Sequence, residues 1–255
     1  MKASIVVANY NNSNFIEECI NSLNSQTYKN IEIIFFDDNS KDNSVDVIKN
    51  FTNVKIIQNK IQTEYGSLNQ MNAFKKSVQL STGDIIFFLD SDDYFKKDKV
   101  EKIINFFLEN KKKKIVFDYP TIIKGNKKIN VKKKNNFFNT YWGYIHPTSC
   151  ISIRRELINE VFNKTINDKF TDIWLDLRML LFSKYLNEYN AIYENLTFYR
   201  QFEGNISSKF KKFNRLWWKR RNEAHNYFFY FMKINNLKVK KNFDFYITRF
   251  INKFI

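Results

Sequence analysis

Short β-branched and aromatic runs alternate with segments of helical period through the N-terminal part of the chain. The runs typical of strands lie at residues 4–8, 31–36, 55–58 and 85–89. The first intervening segment repeats apolar side chains on one helical face, at Phe15, Ile16, Cys19, Ile20 and Leu23. Later segments repeat the spacing around residues 45–51 and 68–80. This alternation predicts an α/β fold with a mostly parallel, Rossmann-like sheet flanked by helices.

The pattern after residue 99 is less regular. It predicts a helix from Val100 that turns Ile103, Ile104, Phe107 and Leu108 inward. Further strands are expected at residues 115–117, 121–123, 129–131 and 191–198, and further helices at 154–162 and 172–186. Because the composition changes near residue 208, we predict a main domain at 1–208, with halves at 1–99 and 100–208, and a helical tail at 209–255.

The tail is basic and aromatic. The whole chain carries a formal net charge of +16, and residues 209–255 hold thirteen Lys and Arg against two acids, with fourteen aromatic side chains. Helical spacing predicts two faces, one at Trp217, Ala224, Phe228 and Phe231, the other at Phe243, Tyr246, Ile247, Phe250, Ile251 and Phe254. Basic amphipathic helices of this kind suit an anionic bilayer interface. Packing on the main domain or on a second subunit would produce the same pattern, so these alternatives stay open.

Cysteine usage and hydropathy indicate the compartment. Cys19 and Cys150 lack the spacing of a disulfide framework or a zinc site. No run reaches the roughly 18 apolar residues of a spanning helix. We therefore expect a cytoplasmic protein with neither a signal peptide nor a spanning helix, peripheral at the inner face of the cell membrane.

Acidic clusters follow two of the predicted strands. Asp37 and Asp38 come after residues 31–36, and Asp90, Asp92 and Asp93 come after residues 85–89. Ligands of open parallel sheets bind at the carboxyl ends of the strands. A carboxylate there can accept from a nucleoside, and an Asp-x-Asp pair can hold Mg²⁺ or Mn²⁺. For Asp38 a helix N-cap is an equally good explanation, whereas three carboxylates in four residues repel one another unless a cation or solvent relieves them.

The N-terminal motifs resemble a known family. The segments SIVVANYNN, SLNSQTYKNIEIIFFDDNSKDNS and GDIIFFLDSDDYF are similar, in order and interval, to the first half of the family 2 glycosyltransferases of GT-A fold. The resemblance covers residues 2–99 and continues more weakly to 207. It points to the bacterial enzymes that build cell-surface polysaccharide or lipopolysaccharide.

The resemblance implies a role for each matching position. It implies nucleotide-sugar contacts at Ala8, Tyr10, Asp38, Asp90, Ser91 and Arg200. It also implies a Mn²⁺ or Mg²⁺ ion on Asp92, with Asp90 contacting the metal or the ribose. Arg200 lies in YRQFEGNIS, similar to a later family segment; it would meet phosphate or remain a solvated surface arginine.

The segment TDIWLDLR at 171–178 resembles the family's E-D-x-D-L-W-L-R, although Thr171 stands where the family has Glu. The match implies that Asp172 is the general base for the acceptor hydroxyl. The alternative makes Asp172 a helix N-cap, with Asp176 and Arg178 as surface charges. His146 falls where relatives build the acceptor site, and a hydrogen-bonded core histidine is its alternative.

Taken together, the resemblance implies an inverting transfer of a sugar from a nucleoside diphosphate, UDP above all, to a hydroxyl of a glycan or lipid-linked glycan. Two rival functions would account for part of the same pattern. A nucleic-acid-binding protein would explain the basic aromatic tail but not the acidic cluster. A nucleotidyltransferase would also use carboxylates, a cation and a nucleotide. The prediction is a glycosyltransferase without a nucleic-acid partner, and the oligomeric state is left open.

Overall fold

The N-terminal half is built from parallel strands, as predicted. The structure is a computed structural model that describes residues 1–132, 140–202 and 210–255. Its first elements are β1 (Ala3–Asn9), α1 (Ser13–Asn24), β2 (Ile31–Asp37), α2 (Ser44–Lys49), β3 (Val54–Gln58), α3 (Gly66–Gln79) and β4 (Ile85–Asp90). The strands lie in the order β3-β2-β1-β4 and pair in parallel.

The central strands β1 and β4 are buried on both faces because helices cover both faces of the sheet. Successive side chains of a strand point to opposite faces. Ile5 and Val7 of β1 accordingly pack with Ile16 of α1 on one side. Val6, between them, packs with Phe74 of α3 on the other. The α/β class predicted from the sequence is confirmed, with a helical layer on each face.

The second half continues the same sheet with mixed pairing. Its elements are β5 (Tyr94–Phe95), α4 (Lys99–Glu109), β6 (Ile115–Lys124), β7 (Lys127–Asn130), β8 (Ile151–Arg154), α5 (Arg155–Thr165), α6 (Leu175–Tyr185) and β9 (Ala191–Arg200). The full order is β3-β2-β1-β4-β8-β6-β9-β5, with β7 paired to β6. β8 runs antiparallel to both β4 and β6, whereas β6 and β9 are parallel.

A buried ion pair explains why one continuous strand forms where two were predicted. Lys99 and Asp118 are fully buried, and the Lys99 ammonium lies 2.6 Å from Asp118 Oδ2. The pair lets Asp118 sit inside β6, so the strands predicted at 115–117 and 121–123 form one continuous strand. Lys99 also occupies the inward face of α4, and Leu108, predicted to face inward, is 49% exposed.

The first tail helix, α7 (Arg215–Ile234), packs on the main domain. Ala224, Phe228 and Phe231 of its predicted apolar face are buried in the same cluster as α5 and α6 side chains. Packing on the main domain, one of the alternatives that the sequence leaves open, therefore describes α7. The predicted boundary near residue 208 lies outside the described residues and stays a prediction.

The second tail helix, α8 (Phe243–Ile251), has two unlike faces. Phe245 and Thr248 are buried. Members of the predicted aromatic stripe are exposed, namely Phe243, Tyr246 and Phe250, together with Phe254 just beyond the helix. No helix in the three described ranges combines the length and the apolar character that a bilayer crossing requires.

Candidate functional site

The carboxyl ends of β1, β2 and β4 form one edge where the candidate residues gather. The parallel register sets Ala8 opposite Asp90 and Asn9 opposite Asp37. The helices that follow β1 and β3 lie on opposite faces of the sheet, so the connections diverge at this edge. Such a switch point is where open α/β sheets bind their ligands.

Polar side chains join the loops at this edge. Asn9 Nδ2 donates to Asp37 Oδ1 at 2.8 Å, and Ser91 Oγ donates to Asn9 Oδ1 at 2.7 Å. Asn12 Nδ2 in turn donates to Ser91 Oγ at 3.0 Å. Ser91 is fully buried, so its hydroxyl connects the β1 and β4 loops and sets their spacing.

Asp38 is a buried carboxylate held by two side-chain amides. It is 5% exposed, and it accepts from Asn59 Nδ2 at 2.7 Å and from Gln62 Nε2 at 2.9 Å. Since α2 begins at Ser44 with Asn43 at its N-cap position, Asp38 is not the cap of that helix. A carboxylate has capacity for further donors beyond these two. Tyr10, on the neighbouring loop, leaves 48% of its surface exposed.

The three carboxylates after β4 are unequal. Asp93 is fully buried and accepts from Ser149 Oγ at 2.6 Å and from the Arg200 main-chain N–H at 2.9 Å. Burial, followed by the charges of Asp92 and Asp90, raises its pKa well above the usual range. Asp93 therefore anchors the loop from inside, while Asp90 and Asp92 are both partly exposed.

Asp90 and Asp92 form a carboxylate pair that suits a cation. Gln70 Nε2 donates to Asp90 Oδ1 at 2.7 Å, yet burial and the charge of Asp92 raise the pKa of Asp90 to about 8. Within residues 1–132, 140–202 and 210–255, no group of three or more His, Cys, Asp or Glu is arranged to hold a metal. A cation that takes its other ligands from a diphosphate needs only one or two carboxylates. The donor set fits that kind of site.

Arg200 supports the loop that carries this pair. Its Nη1 donates to the carbonyl of Asp92 at 2.8 Å, its Nη2 pairs with Glu18, and its guanidinium lies over the rings of Phe15 and Tyr94. Only 11% of its side chain is exposed, so the solvated arginine of the alternative explanation is not what the structure shows.

Asp172 lies in a loop organised by a buried cation. Arg178 is fully buried and donates to the carbonyls of Thr165, Phe170 and Ile173 at 2.5, 2.7 and 2.8 Å. It is therefore a structural core residue and not a surface charge. The N-cap position of α6 is Trp174, so Asp172 precedes the cap by two residues and stays exposed.

Helix α3 connects the Asp172 loop with the acidic pair. The Ser67 hydroxyl donates to the carbonyl of Thr171, and Gln70, one turn later, holds Asp90. The charge of Asp176 also contributes to the raised pKa of Asp90, after burial and Asp92. Helix α3 thus places the Asp172 loop beside the acidic pair, at the sheet edge where Asp38 also lies.

A cavity of about 330 Å³ opens beside Asp172. Aromatic side chains and two arginines line much of it, namely Trp142, Trp174, Phe210, Trp217, Arg220 and Arg221. Three of these come from α7, which the sequence analysis assigned to a separate tail. Tail residues at the cleft could not be anticipated, because sequence periodicity gives the inward face of a helix but not the element it packs against.

His146 is a core residue. It is fully buried, with Nδ1 2.8 Å from the carbonyl oxygen of Asp118 and Nε2 3.2 Å from the Tyr189 hydroxyl. Burial lowers its pKa to about 4, which keeps the ring neutral. The structure therefore places it away from the cleft surface, in the hydrogen-bonded role that the sequence analysis gave as the alternative to an acceptor contact.

Sequence comparisons find relatives among bacterial glycosyltransferases. A relative in Nostoc sp., an uncharacterized glycosyltransferase, is 30% identical over 214 residues, which are 78% of this chain and 65% of the relative. WfaP of Escherichia coli, a UDP-Glc:alpha-D-GlcNAc-diphosphoundecaprenol beta-1,3-glucosyltransferase, is 37% identical over 116 residues, 46% of this chain and 44% of that protein. The chain thus spans less than two thirds of either relative.

Solved structures share the fold at lower identity. S. aureus TarS 1-349 in complex with UDP-GlcNAc superposes with a TM-score of 0.69 at 17% identity, covering 98% of this chain and 73% of that one. The mannosyltransferase PcManGT from Pyrobaculum calidifontis, in complex with GDP-Man and Mn²⁺, gives a TM-score of 0.59 at 16% identity, covering 96% and 66%. The model of the family described as Glycosyl transferase family 2 matches residues 4–185. The chain belongs to glycosyl transferase family 2.

Proposed function

We propose that the protein transfers a sugar from a nucleoside diphosphate-sugar to a hydroxyl of a glycan acceptor, with inversion at the anomeric carbon. The observation that carries this proposal is that Asp38 and the Asp90–Asp92 pair lie at one sheet edge, with the Asp172 loop held beside them by α3, in a chain of glycosyl transferase family 2.

The donor is a uridine nucleotide-sugar. Asp38 accepts from the base or ribose, and the exposed ring of Tyr10 lies against the base, with the main chain of Ala8 beside them. Two comparisons support uridine: WfaP is named for UDP-Glc, and TarS was crystallised with UDP-GlcNAc.

Asp92 and Asp90 hold a Mn²⁺ or Mg²⁺ ion when the donor is bound. The cation supplies charge neutralisation for the diphosphate leaving group. The raised pKa of Asp90 supports this role. Burial and the neighbouring Asp92 carboxylate disfavour the ionised form of Asp90, and a cation between the two carboxylates would stabilise it. PcManGT, a structural neighbour, was solved with Mn²⁺. Arg200 keeps the loop of Asp92 in place through the main chain.

Asp172 removes the proton from the acceptor hydroxyl. Its exposed side chain stands on a loop fixed by Arg178, so the carboxylate is held in position before the acceptor arrives. A single in-line displacement requires the base opposite the departing diphosphate. The cavity beside Asp172 receives the acceptor, whose sugar ring packs on the aromatic walls contributed by Trp174 and Trp217.

The acceptor is a glycan carried on a lipid at the cytoplasmic face of the membrane. The exposed aromatic residues of α8 and the thirteen cations of residues 209–255 support contact with an anionic bilayer. Co-sedimentation with vesicles tests the contact. Replacing Phe250 and Phe254 by serine is expected to reduce binding to vesicles that contain anionic lipid by about tenfold or more. Equal binding by the double variant would contradict membrane contact through this stripe.

Thermal stabilisation by a panel of nucleotide-sugars tests the proposed reaction. One UDP-sugar is expected to raise the melting midpoint when Mn²⁺ is present and to lose the effect after chelation. Asp92→Asn, the matched variant, is expected to show no Mn²⁺-dependent shift. Turnover must release free nucleoside diphosphate. Release of pyrophosphate would identify a nucleotidyltransferase, and a salt-sensitive RNA complex without any nucleotide-sugar effect would identify a nucleic-acid-binding protein.

A further inference from the structure

An acidic residue of α7 reaches the loop of the proposed base. Glu223 is half-buried, and its Oε1 accepts the main-chain N–H of Asp172 at 3.2 Å across 51 residues of sequence. The Asp172 carboxyl group is close enough for its charge to raise the pKa of the Glu223 carboxyl group. The packing of Ala224 and Phe228 into the core fixes α7, and with it the position of Glu223.

The surroundings of Glu223 favour its protonated form. Burial raises its pKa to about 7, and the charge of Asp172 acts in the same direction. The buried Arg178 of α6 opposes this effect, and Lys219 and Arg220 lie one turn earlier on α7. Two carboxyl groups at such close range hold one proton between them more readily than they ionise together.

We propose that Glu223 is a positioning residue for Asp172, acting as a two-point clamp. Its protonated carboxyl donates to the Asp172 carboxylate, while its other oxygen accepts from the Asp172 main-chain N–H. The clamp fixes the direction of the Asp172 carboxylate toward the acceptor cavity. This inference rests on the proposed role of Asp172 as the base, and it gives α7 a part in the reaction.

The clamp has a definite pH dependence. Below the pKa of Glu223 the proton is present and both hydrogen bonds form. As the pH rises through that pKa, Glu223 ionises, the two carboxylates repel each other, and the clamp opens. Turnover is therefore expected to fall above about pH 7.

Two substitutions separate the clamp from simple packing. In Glu223→Gln the side-chain amide donates to Asp172 and its carbonyl oxygen accepts from the main chain, without a proton to lose. Glu223→Leu removes both contacts. Glu109→Gln, at an exposed acid on α4, is the control. The assay measures the release of UDP when water is the acceptor, and its donor is the UDP-sugar that stabilises the protein. It covers about pH 5.5 to 9, the range in which a carboxyl group with a raised pKa titrates.

The wild type and Glu109→Gln are expected to lose activity about tenfold per pH unit above pH 7. Glu223→Gln is expected to keep neutral-pH turnover within about threefold and to lose the alkaline fall. Glu223→Leu is expected to be slower by about 10- to 100-fold at every pH, with the donor KM unchanged. An alkaline fall that persists in Glu223→Gln would overturn the clamp.

A ligand-free measurement keeps this inference separate from the proposed function. Carbon-13 NMR of carboxyl-labelled protein is expected to show one Glu signal titrating near pH 7, absent in Glu223→Gln, with the Asp172 signal shifting in step. If no nucleotide-sugar turns over but these signals appear, the proposed function fails and the clamp stands. If Glu223 titrates at the ordinary pH of a glutamate, the clamp is refuted even in an active enzyme.

Discussion

Replacing Arg178 by methionine probes the support beneath the Asp172 loop. The guanidinium is fully buried and donates to three main-chain carbonyls within 2.8 Å. Methionine fills a similar length but offers no donor, so those carbonyls lose this partner. An unpaired buried polar group costs about 1–3 kcal/mol, and the effects overlap because the carbonyls share one loop. We therefore expect the free energy of unfolding to fall by about 3–5 kcal/mol.

Equilibrium urea unfolding followed by far-UV circular dichroism measures this loss. Arg178→Lys is the matched variant, because it keeps a buried cation but replaces the planar fork by a single ammonium group. The fall in the free energy of unfolding is expected to be about half as large in Arg178→Lys as in Arg178→Met. If Arg178→Met unfolds within about 1 kcal/mol of the wild type, the carbonyls do not depend on the guanidinium and the reasoning is refuted.

The same substitution bears on catalysis. In Arg178→Met assayed well below its melting midpoint, Mn²⁺-dependent stabilisation by the donor is expected to persist, since the acidic pair lies on a different loop. Turnover is expected to fall by about tenfold or more, because a displaced base loses much of its effect.

Three further predictions follow from other parts of the molecule. Gly83→Ala places a Cβ 2.7 Å from Ser4 N and 2.9 Å from Ala3 C, so about 1–3 kcal/mol of stability is expected to be lost; an unchanged melting midpoint would contradict this. Partial burial acts to raise the pKa of Glu32, but hydrogen bonds from Lys2, Ser4 and Thr82 lower it to about 2. The stabilisation that ionised Glu32 provides is thus present above about pH 4.5 and lost as the pH falls toward 2. The difference in melting midpoint between the wild type and Glu32→Gln should therefore be smaller at pH 3 than at pH 7. An equal difference at both pH values would refute the stabilising role of Glu32. Trp217→Ala is expected to raise the acceptor KM about tenfold while donor hydrolysis stays unchanged, and an unaltered acceptor KM would exclude Trp217 from the acceptor site.

The sequence predicts the N-terminal half of the fold well, because local signals there agree with the tertiary structure. β1, β2 and β4 are largely buried, and acidic residues stand at the ends of β2 and β4. The positions of Asp38 and Asp90 at one sheet edge follow from the parallel arrangement alone. The family motifs lie in the same segments, so resemblance and periodicity support each other.

The second half depends on contacts that no local pattern encodes. β8 is four residues long and leads directly into α5, and the sequence pattern predicts no strand there. Asp118 is a poor strand residue that becomes acceptable only because Lys99 pairs with it. Gln70 and Glu223 reach the site from helices α3 and α7, and in each case the partner is distant in sequence.

Turnover and donor binding, measured side by side on Asp172→Asn, test most directly whether one cleft holds both the donor and the base. This variant is expected to keep Mn²⁺-dependent stabilisation by the UDP-sugar and to lose transfer by about 1000-fold, since base catalysis typically contributes 10²–10⁴-fold. Asp92→Asn is expected to lose the stabilisation itself. Transfer at the wild-type rate by Asp172→Asn would contradict the assignment of Asp172 as the base.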